Sequence, residues 1–183
     1  MDKKMWHSVQ AGIRLLFWSI SFFYKHLSLV LLSLIPSTFR YIQMWNDLHT
    51  PMWMEIAVES TRVVLFLLIF ARMSKSAFKD VFKSSLWSRW QYSLKVELER
   101  NWPWTFLAQI AVFIIGLYVL MNSLIEWLLN PAFVKAAMSI FGAAHYDYDR
   151  IYVAALFFLK NMSVIPLSMV YILRMLGAGM HER

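Results

Sequence analysis

The sequence predicts an all-α integral membrane protein with four transmembrane helices, an N-terminal interfacial amphipathic helix and a basic amphipathic cytoplasmic connection. Three observations predict this fold class. Long apolar runs recur along the 183-residue chain, eight of its nine tryptophans lie at or outside the ends of these runs, and Lys and Arg concentrate in every second connection. A bilayer selects for apolar segments of about 20 residues, for aromatic side chains at its two interfaces and for positive charge on its cytoplasmic side.

Composition supports a single polytopic membrane domain over residues 1–183. Hydrophobic residues make up 60% of the chain and charged residues 16%, whereas a soluble domain is nearer half apolar and a quarter charged. The absence of Cys excludes disulfides, thiolate metal sites and Cys nucleophiles. The net charge of +7 is expected from cytoplasmic loops that face anionic lipid. Because the Lys and Arg residues lie in such connections, their placement argues against nucleic acid as a partner.

The N-terminal segment, residues 5–25, is predicted to be a basic amphipathic helix lying in the membrane surface. Ile13 and Phe17 belong to an apolar face with helical spacing, while Arg14 and Lys25 occupy another face. The apolar run behind Arg14 covers only residues 15–24, and about 20 residues are needed to cross a bilayer. A short or re-entrant span is the alternative.

Four spans follow from the apolar runs and their breakers. They cover about residues 26–45, 54–71, 103–129 and 151–173. A polar turn ending at Pro51 separates the first two spans, and Asn130-Pro131 ends the third. The apolar runs therefore predict a four-helix bundle with short outer connections.

The connection between the second and third spans, residues 72–100, is strongly basic. It holds seven Lys or Arg and three acidic residues. Its apolar residues recur every four positions. Because a helix has 3.6 residues per turn, such a stripe would not stay on one face of a single straight helix. We therefore expect a break near Ser84-Ser85. We expect this segment to contact anionic lipid or a protein partner, with a solvated basic loop as the alternative. The residues predicted to form this surface are Lys75, Lys79, Lys83, Trp87, Arg89 and Trp90.

The charge bias predicts the orientation. Thirteen of the eighteen Lys and Arg lie in the N-terminal segment, the 72–100 connection and the C-terminal tail. The other two connections hold only Lys135 and Arg150, and three cations lie within spans. Under the positive-inside rule, both termini are cytoplasmic and the protein is expected in the plasma (inner) membrane.

Charged residues within the spans are the leading candidates for a functional site, because each is costly in hydrocarbon. They are Arg40, Glu55, Glu59, Arg62 and Lys160. From a rise of 1.5 Å per residue, Glu59 lies about 20 Å from the inner boundary, and Arg40 and Lys160 about 21 Å from it. One interpretation is a polar cavity that holds an anion. The other is internal pairing, of Arg40 with Glu55 and of Lys160 with Glu59.

A second candidate site is the sequence from His145 to Asp149 in the last outer connection. His145, Asp147 and Asp149 are weak candidates for metal ligands, because alternate residues converge only in a tight loop. The interpretation we prefer is a hydrated loop that ends in an Asp N-cap, without a metal or other cofactor.

The function predicted on these grounds is that of a membrane-embedded accessory or interaction subunit, non-enzymatic. The chain contains no G-x-S-x-G, H-E-x-x-H, P-loop or G-x-G-x-x-G motif. Its expected partners are membrane lipids, with anionic lipid at the cytoplasmic face, and a second protein or another copy of the chain. A small transporter or lipid- and anion-handling protein is the first alternative, and a membrane enzyme the second.

The thirteen-to-two charge bias predicts that both termini and residues 72–100 face the cytoplasm. Reporter fusions at either terminus and protease digestion of sealed vesicles measure this orientation. An N-terminus that is accessible from outside would contradict the four-span topology.

Overall fold

A computed structural model describes residues 3–46, 49–140, 142 and 145–180. Helices form most of this part, and it contains no strand. Arg183 and the side chains of Lys3 and Lys4, which contribute to the charge bias, lie outside the described residues. The fold class is therefore α-helical throughout the described part.

Nine α-helices and two other helical segments follow one another along the described chain. They are α1 (Lys3–Lys25), α2 (Leu27–Trp45), α3 (Met52–Met73), a 3-10 segment (Phe78–Phe82), α4 (Ser84–Asn101), α5 (Trp104–Val112), a π-helical segment (Phe113–Leu120), α6 (Met121–Leu128), α7 (Pro131–Ile140), α8 (Tyr148–Met162) and α9 (Val164–Met175). The break between the 3-10 segment and α4 falls at Lys83, next to the break expected at Ser84-Ser85.

Among the described residues, three helical stretches are long and apolar enough to cross a membrane, which indicates an integral membrane protein. They are Leu27–Trp45, Trp104–Leu128 and Tyr148–Met175, and they correspond to the predicted first, third and fourth spans. Helix α3 covers the predicted second span and has 22 residues. It is not among the three, because its charged side chains interrupt every apolar stretch of span length.

Helix α2 packs against α3 and α8, and both neighbours run antiparallel to it. Tyr41 contacts Phe158 and Trp45 contacts Tyr146, so residues later in α2 lie beside earlier residues of the last span. The last span is broken between α8 and α9 at Ser163. Pro166 follows within the first turn of α9 and has no N–H to continue the helical bonds of α8.

Helix α1, predicted to lie in the membrane surface, packs along α5. Its buried stripe has helical spacing and consists of Ser8, Gly12, Leu15, Ser19 and Phe23. A Cβ at Gly12 would lie 2.9 Å from Val112 Cγ2, and a Cβ at Gly116 would lie 2.7 Å from Leu16 Cδ2. Glycine therefore permits this close approach. The depth of α1 in the bilayer stays a prediction.

The C-terminal tail packs against the end of α3 and the middle of α4. Ser93 Oγ donates to Gly177 O at 2.7 Å, and a Cβ at Gly179 would lie 2.3 Å from Met73 O. Gly177 and Gly179 have φ values of +84° and +71°, a region that favours glycine. The two glycines thus let the tail fit between the two helices.

Candidate intramembrane charged site

Arg40 joins α2 to α3 through a fork of hydrogen bonds. Its Nη1 donates to Glu55 Oε2 at 2.8 Å and its Nη2 donates to Glu55 Oε1 at 2.6 Å. Nη2 also donates to Glu59 Oε1 at 3.2 Å. Bidentate pairing of a guanidinium with a carboxylate adds geometric specificity to charge attraction. The pairing of Arg40 with Glu55, expected from their similar depth, is confirmed.

The network continues from α3 to α8 through Arg62. Arg62 Nη1 donates to Glu59 Oε1 at 2.5 Å, and Arg62 Nη2 donates to Asn161 Oδ1 at 2.6 Å. Asn161 Nδ2 in turn donates to Phe157 O at 2.8 Å within α8. Glu59 therefore accepts from an arginine on each side, and three helices meet in one hydrogen-bonded cluster, which we call the charged cluster.

Two neutral residues complete the charged cluster and were not identified from the sequence. Arg40 Nη1 donates to Gln43 Oε1 at 3.0 Å, and Gln43 Nε2 donates to Glu55 Oε2 at 3.2 Å. Gln43 and Asn161 are 2% and 3% exposed. A search for charges within spans passes over amides, although the position of Gln43 three residues after Arg40, on the same helix face, was a usable indication.

The predicted pairing of Lys160 with Glu59 is wrong. Lys160 Nζ lies 3.9 Å from Glu126 Oε1 on α6, while Glu59 bonds to the two arginines. Successive residues of a helix point about 100° apart. Because Asn161 faces Arg62 on α3, its neighbour Lys160 faces α6. An estimate of depth along the helix gives no information on the direction in which a side chain points around the helix axis.

The charged cluster is electrically balanced and unevenly exposed. Two arginines face two carboxylates, and the arginine side chains are 14% and 21% exposed, against 48% and 53% for Glu55 and Glu59. A cavity offering net positive charge to an anion, the alternative interpretation, therefore has its cations already bonded. What the arrangement can do chemically is fasten α2, α3 and α8 to one another.

The predicted surface of the 72–100 connection divides into exposed cations and packed tryptophans. Lys75, Lys79 and Arg89 are exposed. Trp87 and Trp90 are partly buried and pack on the buried ring of Phe70, at centroid distances of 4.9 and 5.5 Å. The tryptophans thus hold the connection against α3 and present only part of their rings outward.

The remaining cation of that surface, Lys83, has an acidic partner. Its Nζ lies 2.6 Å from Asp80 Oδ1, and this hydrogen bond holds the pKa of the Asp80 carboxyl below its usual value. Both groups are near solvent, so salt screens the pair and it contributes little to stability.

The outer connection places Asp147 at the start of α8. Asp147 is the N-cap, and its Oδ1 accepts from Asp149 N at 3.4 Å. The ring of His145 contacts that of Tyr146 in a tilted arrangement, at a centroid distance of 4.0 Å. Within the described ranges, no group of three or more His, Cys, Asp or Glu could hold a metal ion.

Removing either member of the Arg40–Glu55 pair should cost more than removing both. We expect Arg40→Gln and Glu55→Gln each to lower the free energy of unfolding by about 1–3 kcal/mol, because each strands charged hydrogen-bonding groups. The double variant should recover part of the loss, since Glu59 and Arg62 still balance each other. Unfolding in detergent, followed by tryptophan fluorescence, measures the cycle.

The matched control is the cycle of Glu59→Gln with Lys160→Gln, two residues that the structure does not pair. Its two effects should add within about 0.5 kcal/mol. Coupling between Glu59 and Lys160, or additivity between Arg40 and Glu55, would show that the bonding pattern described above is incorrect.

Comparisons with known proteins do not place the chain in a family. No family model, no curated protein and no solved structure matches it.

Proposed function

We propose that the protein is a non-enzymatic, membrane-embedded accessory or interaction subunit. The observation that carries this proposal is the charged cluster, whose two arginines and two glutamates balance one another. Ionisable groups inside a membrane protein usually mark a pathway or a ligand, or else pair with one another. Here their hydrogen bonds are made within the protein, and their role is to hold three helices together.

The proposed topology has four spans, with α3 as the second. Bonding of Glu55, Glu59 and Arg62 to partners on α2 and α8 lowers the cost of placing α3 in hydrocarbon. With α3 included, the cationic 72–100 connection and both termini lie on the cytoplasmic side of the plasma (inner) membrane. The charge bias of the sequence supports this arrangement.

The partner is proposed to be another membrane protein, or a second copy of the chain, that contacts the third span or the 72–100 connection. In an 18-residue apolar window of the third span, only 11% of the residues are buried within the protein, compared with 28% and 33% in the corresponding windows of the other two apolar spans. Exposed apolar side chains line it, among them Ile115, Tyr118 and Trp127. This span has the largest free surface for a helix of a partner or for lipid.

Site-specific photo-crosslinking in native membranes tests the proposal. A photoreactive phenylalanine at Ile115, Tyr118 or Trp127 should give a crosslinked product of one discrete mass. Leu31 and Ile35, one turn apart on α2 and likewise exposed, are the control sites and should give none. The reason is that a specific contact with a partner protein holds the photoreactive group against one protein, whereas lipid contact gives no protein adduct.

Two outcomes would contradict the accessory role. One is the absence of a discrete product from Ile115, Tyr118 and Trp127. The other is anion flux into liposomes that contain the purified protein, abolished by Arg40→Gln, which would favour the transport alternative. Mass spectrometry of the crosslinked band distinguishes a second copy from a different protein.

A further inference from the structure

A cavity lies at the C-terminal ends of α3 and α9, away from the charged cluster. Its volume is about 890 Å³, within the usual range of small-molecule sites, about 300–1,000 Å³. The residues that line it come from the end of α3, the first half of α4 and the C-terminal tail. The members that matter for its chemistry are Lys75, Arg89, Trp90, Tyr92, Gly177 and Gly179.

The two cations of this cavity have no carboxylate partner within the described part of the chain. Three of the other five cations of the connection do: Lys83 pairs with Asp80, Lys95 lies near Glu99, and Arg100 pairs with Glu97. Neither Lys75 nor Arg89 has a described carboxylate within salt-bridge distance, and both line the cavity. The cavity therefore carries two positive charges that no described acidic side chain offsets.

Two serines of the cavity wall have no free hydroxyl proton to donate to an anion. Ser76 Oγ donates to Ser74 O at 3.0 Å and Ser88 Oγ donates to Ser84 O at 3.1 Å. Their hydroxyl protons are thus used within the wall. The ammonium of Lys75, the guanidinium of Arg89 and the hydroxyl of Tyr92 can each donate to a bound molecule.

Lys75 occupies a backbone position where glycine is usual. Its φ is +47°, and Ser76 N donates to Ala71 O at 2.9 Å, which closes α3 with a left-handed residue. Helix α9 ends in the same way, with Ala178 N donating to Leu173 O at 2.9 Å, and there the left-handed residue is Gly177. The end of α3 carries a strained cationic residue where α9 has glycine.

Apolar and aromatic groups complete the cavity beside its cations. Leu86 and Trp90 contribute apolar surface, and Tyr92 is an exposed aromatic residue at the same wall. Aromatic rings combined with Lys or Arg are typical of the level at which lipid headgroups meet acyl chains. The wall therefore suits a molecule that carries an anionic group next to an apolar portion.

We infer that this cavity binds a phosphate-bearing anion through Lys75 and Arg89. A phosphate offers oxygens to a guanidinium fork and to an ammonium at once. The molecule is either an anionic phospholipid of the cytoplasmic leaflet or a soluble phosphate, and the chemistry of recognition is the same for both. This inference goes beyond the accessory role and does not depend on it.

The competing account is that the cations only offset the negative ends of the α3 and α9 dipoles. That account predicts that loss of Lys75 or Arg89 lowers stability and that no phosphate compound binds. Phosphate recognition by the cavity predicts measurable binding of a phosphate compound, whereas compensation of the helix dipoles alone predicts none.

Calorimetric titration of the purified full-length protein in neutral detergent tests the inference. The probes are dihexanoyl phosphatidic acid, dihexanoyl phosphatidylcholine and sodium phosphate. We expect saturable binding of phosphatidic acid and weaker binding of phosphatidylcholine, whose headgroup carries its own positive charge. Competition by sodium phosphate would assign recognition to phosphate from any source, and its failure to compete would assign it to the lipid headgroup.

Four variants locate the binding. Arg89→Gln and Lys75→Gly should each weaken phosphatidic acid binding about tenfold or more, the effect of losing one charge-assisted hydrogen bond. Arg72→Gln and Lys79→Gln remove the same charge from exposed positions outside the cavity and should change the affinity by less than about twofold, because solvent screens them. Equal weakening by all four variants would overturn the cavity as the site.

Lys75→Gly separates binding from folding. Glycine relieves the left-handed conformation, so the melting temperature should hold or rise while the affinity falls. If Arg89→Gln does not fold, acetylation of the wild-type protein gives a second measurement. Phosphatidic acid should protect Lys75 from the reagent and leave Lys79 reactive. No binding of any probe, or equal reactivity of the two lysines with and without lipid, would overturn the inference.

Discussion

The arrangement of the spans depends on the bonding of Arg40 to Glu55 and Glu59. A guanidinium inside a bilayer must find acceptors in its own protein, because hydrocarbon offers none. Both carboxylates that pair with Arg40 lie on α3. This pairing lowers the free-energy cost of placing the charged helix α3 beside α2 in hydrocarbon. Arg62 on α3 also needs an acceptor within the protein, and Asn161 on α8 provides it. Three helices therefore have their relative rotation set by hydrogen bonds, in a solvent where apolar surfaces alone do not favour helix association.

The opposite end of the bundle is organised by shape as well as by charge. The tail after α9 fits against Met73 and Ser93 because glycine lies at the two points of close approach. This contact brings the ends of α3 and α9 to the first half of α4 and encloses the cavity that contains Lys75 and Arg89. The fold thus has a balanced polar cluster within its spans and an unbalanced cationic cavity at one end. The first serves cohesion, and the second is the place where a ligand has charge to neutralise.

Much of this fold follows from the sequence, because apolar length and charge position report directly on a bilayer. Three apolar helices of span length, a break beside Ser84 and an Asp N-cap before the last of these helices were predicted from such patterns and are present in the structure. Depth along the membrane also identified Arg40 and Glu55 as partners. Depth could not identify the partner of Lys160, nor show that Gln43 and Asn161 face inward, because rotation about a helix axis is set by packing. The cavity at the C-terminal ends of α3 and α9 is lined by three segments that are distant in sequence, so no local sequence pattern indicated it.

The central claim is that α3 crosses the membrane because its charges are bonded to neighbouring helices. The chain has no Cys, so single spin labels at Met52, Val63 and Arg72, all exposed positions of α3, can report depth in reconstituted bilayers through their accessibility to oxygen and to a polar nickel reagent. Val63 lies nine residues from Arg72, about 14 Å along the helix, which is close to the middle of a hydrocarbon core about 30 Å thick. A depth maximum at Val63, with shallow positions at both ends, is the result this account predicts. Equal, shallow depths at all three positions would place α3 in the interface and contradict it.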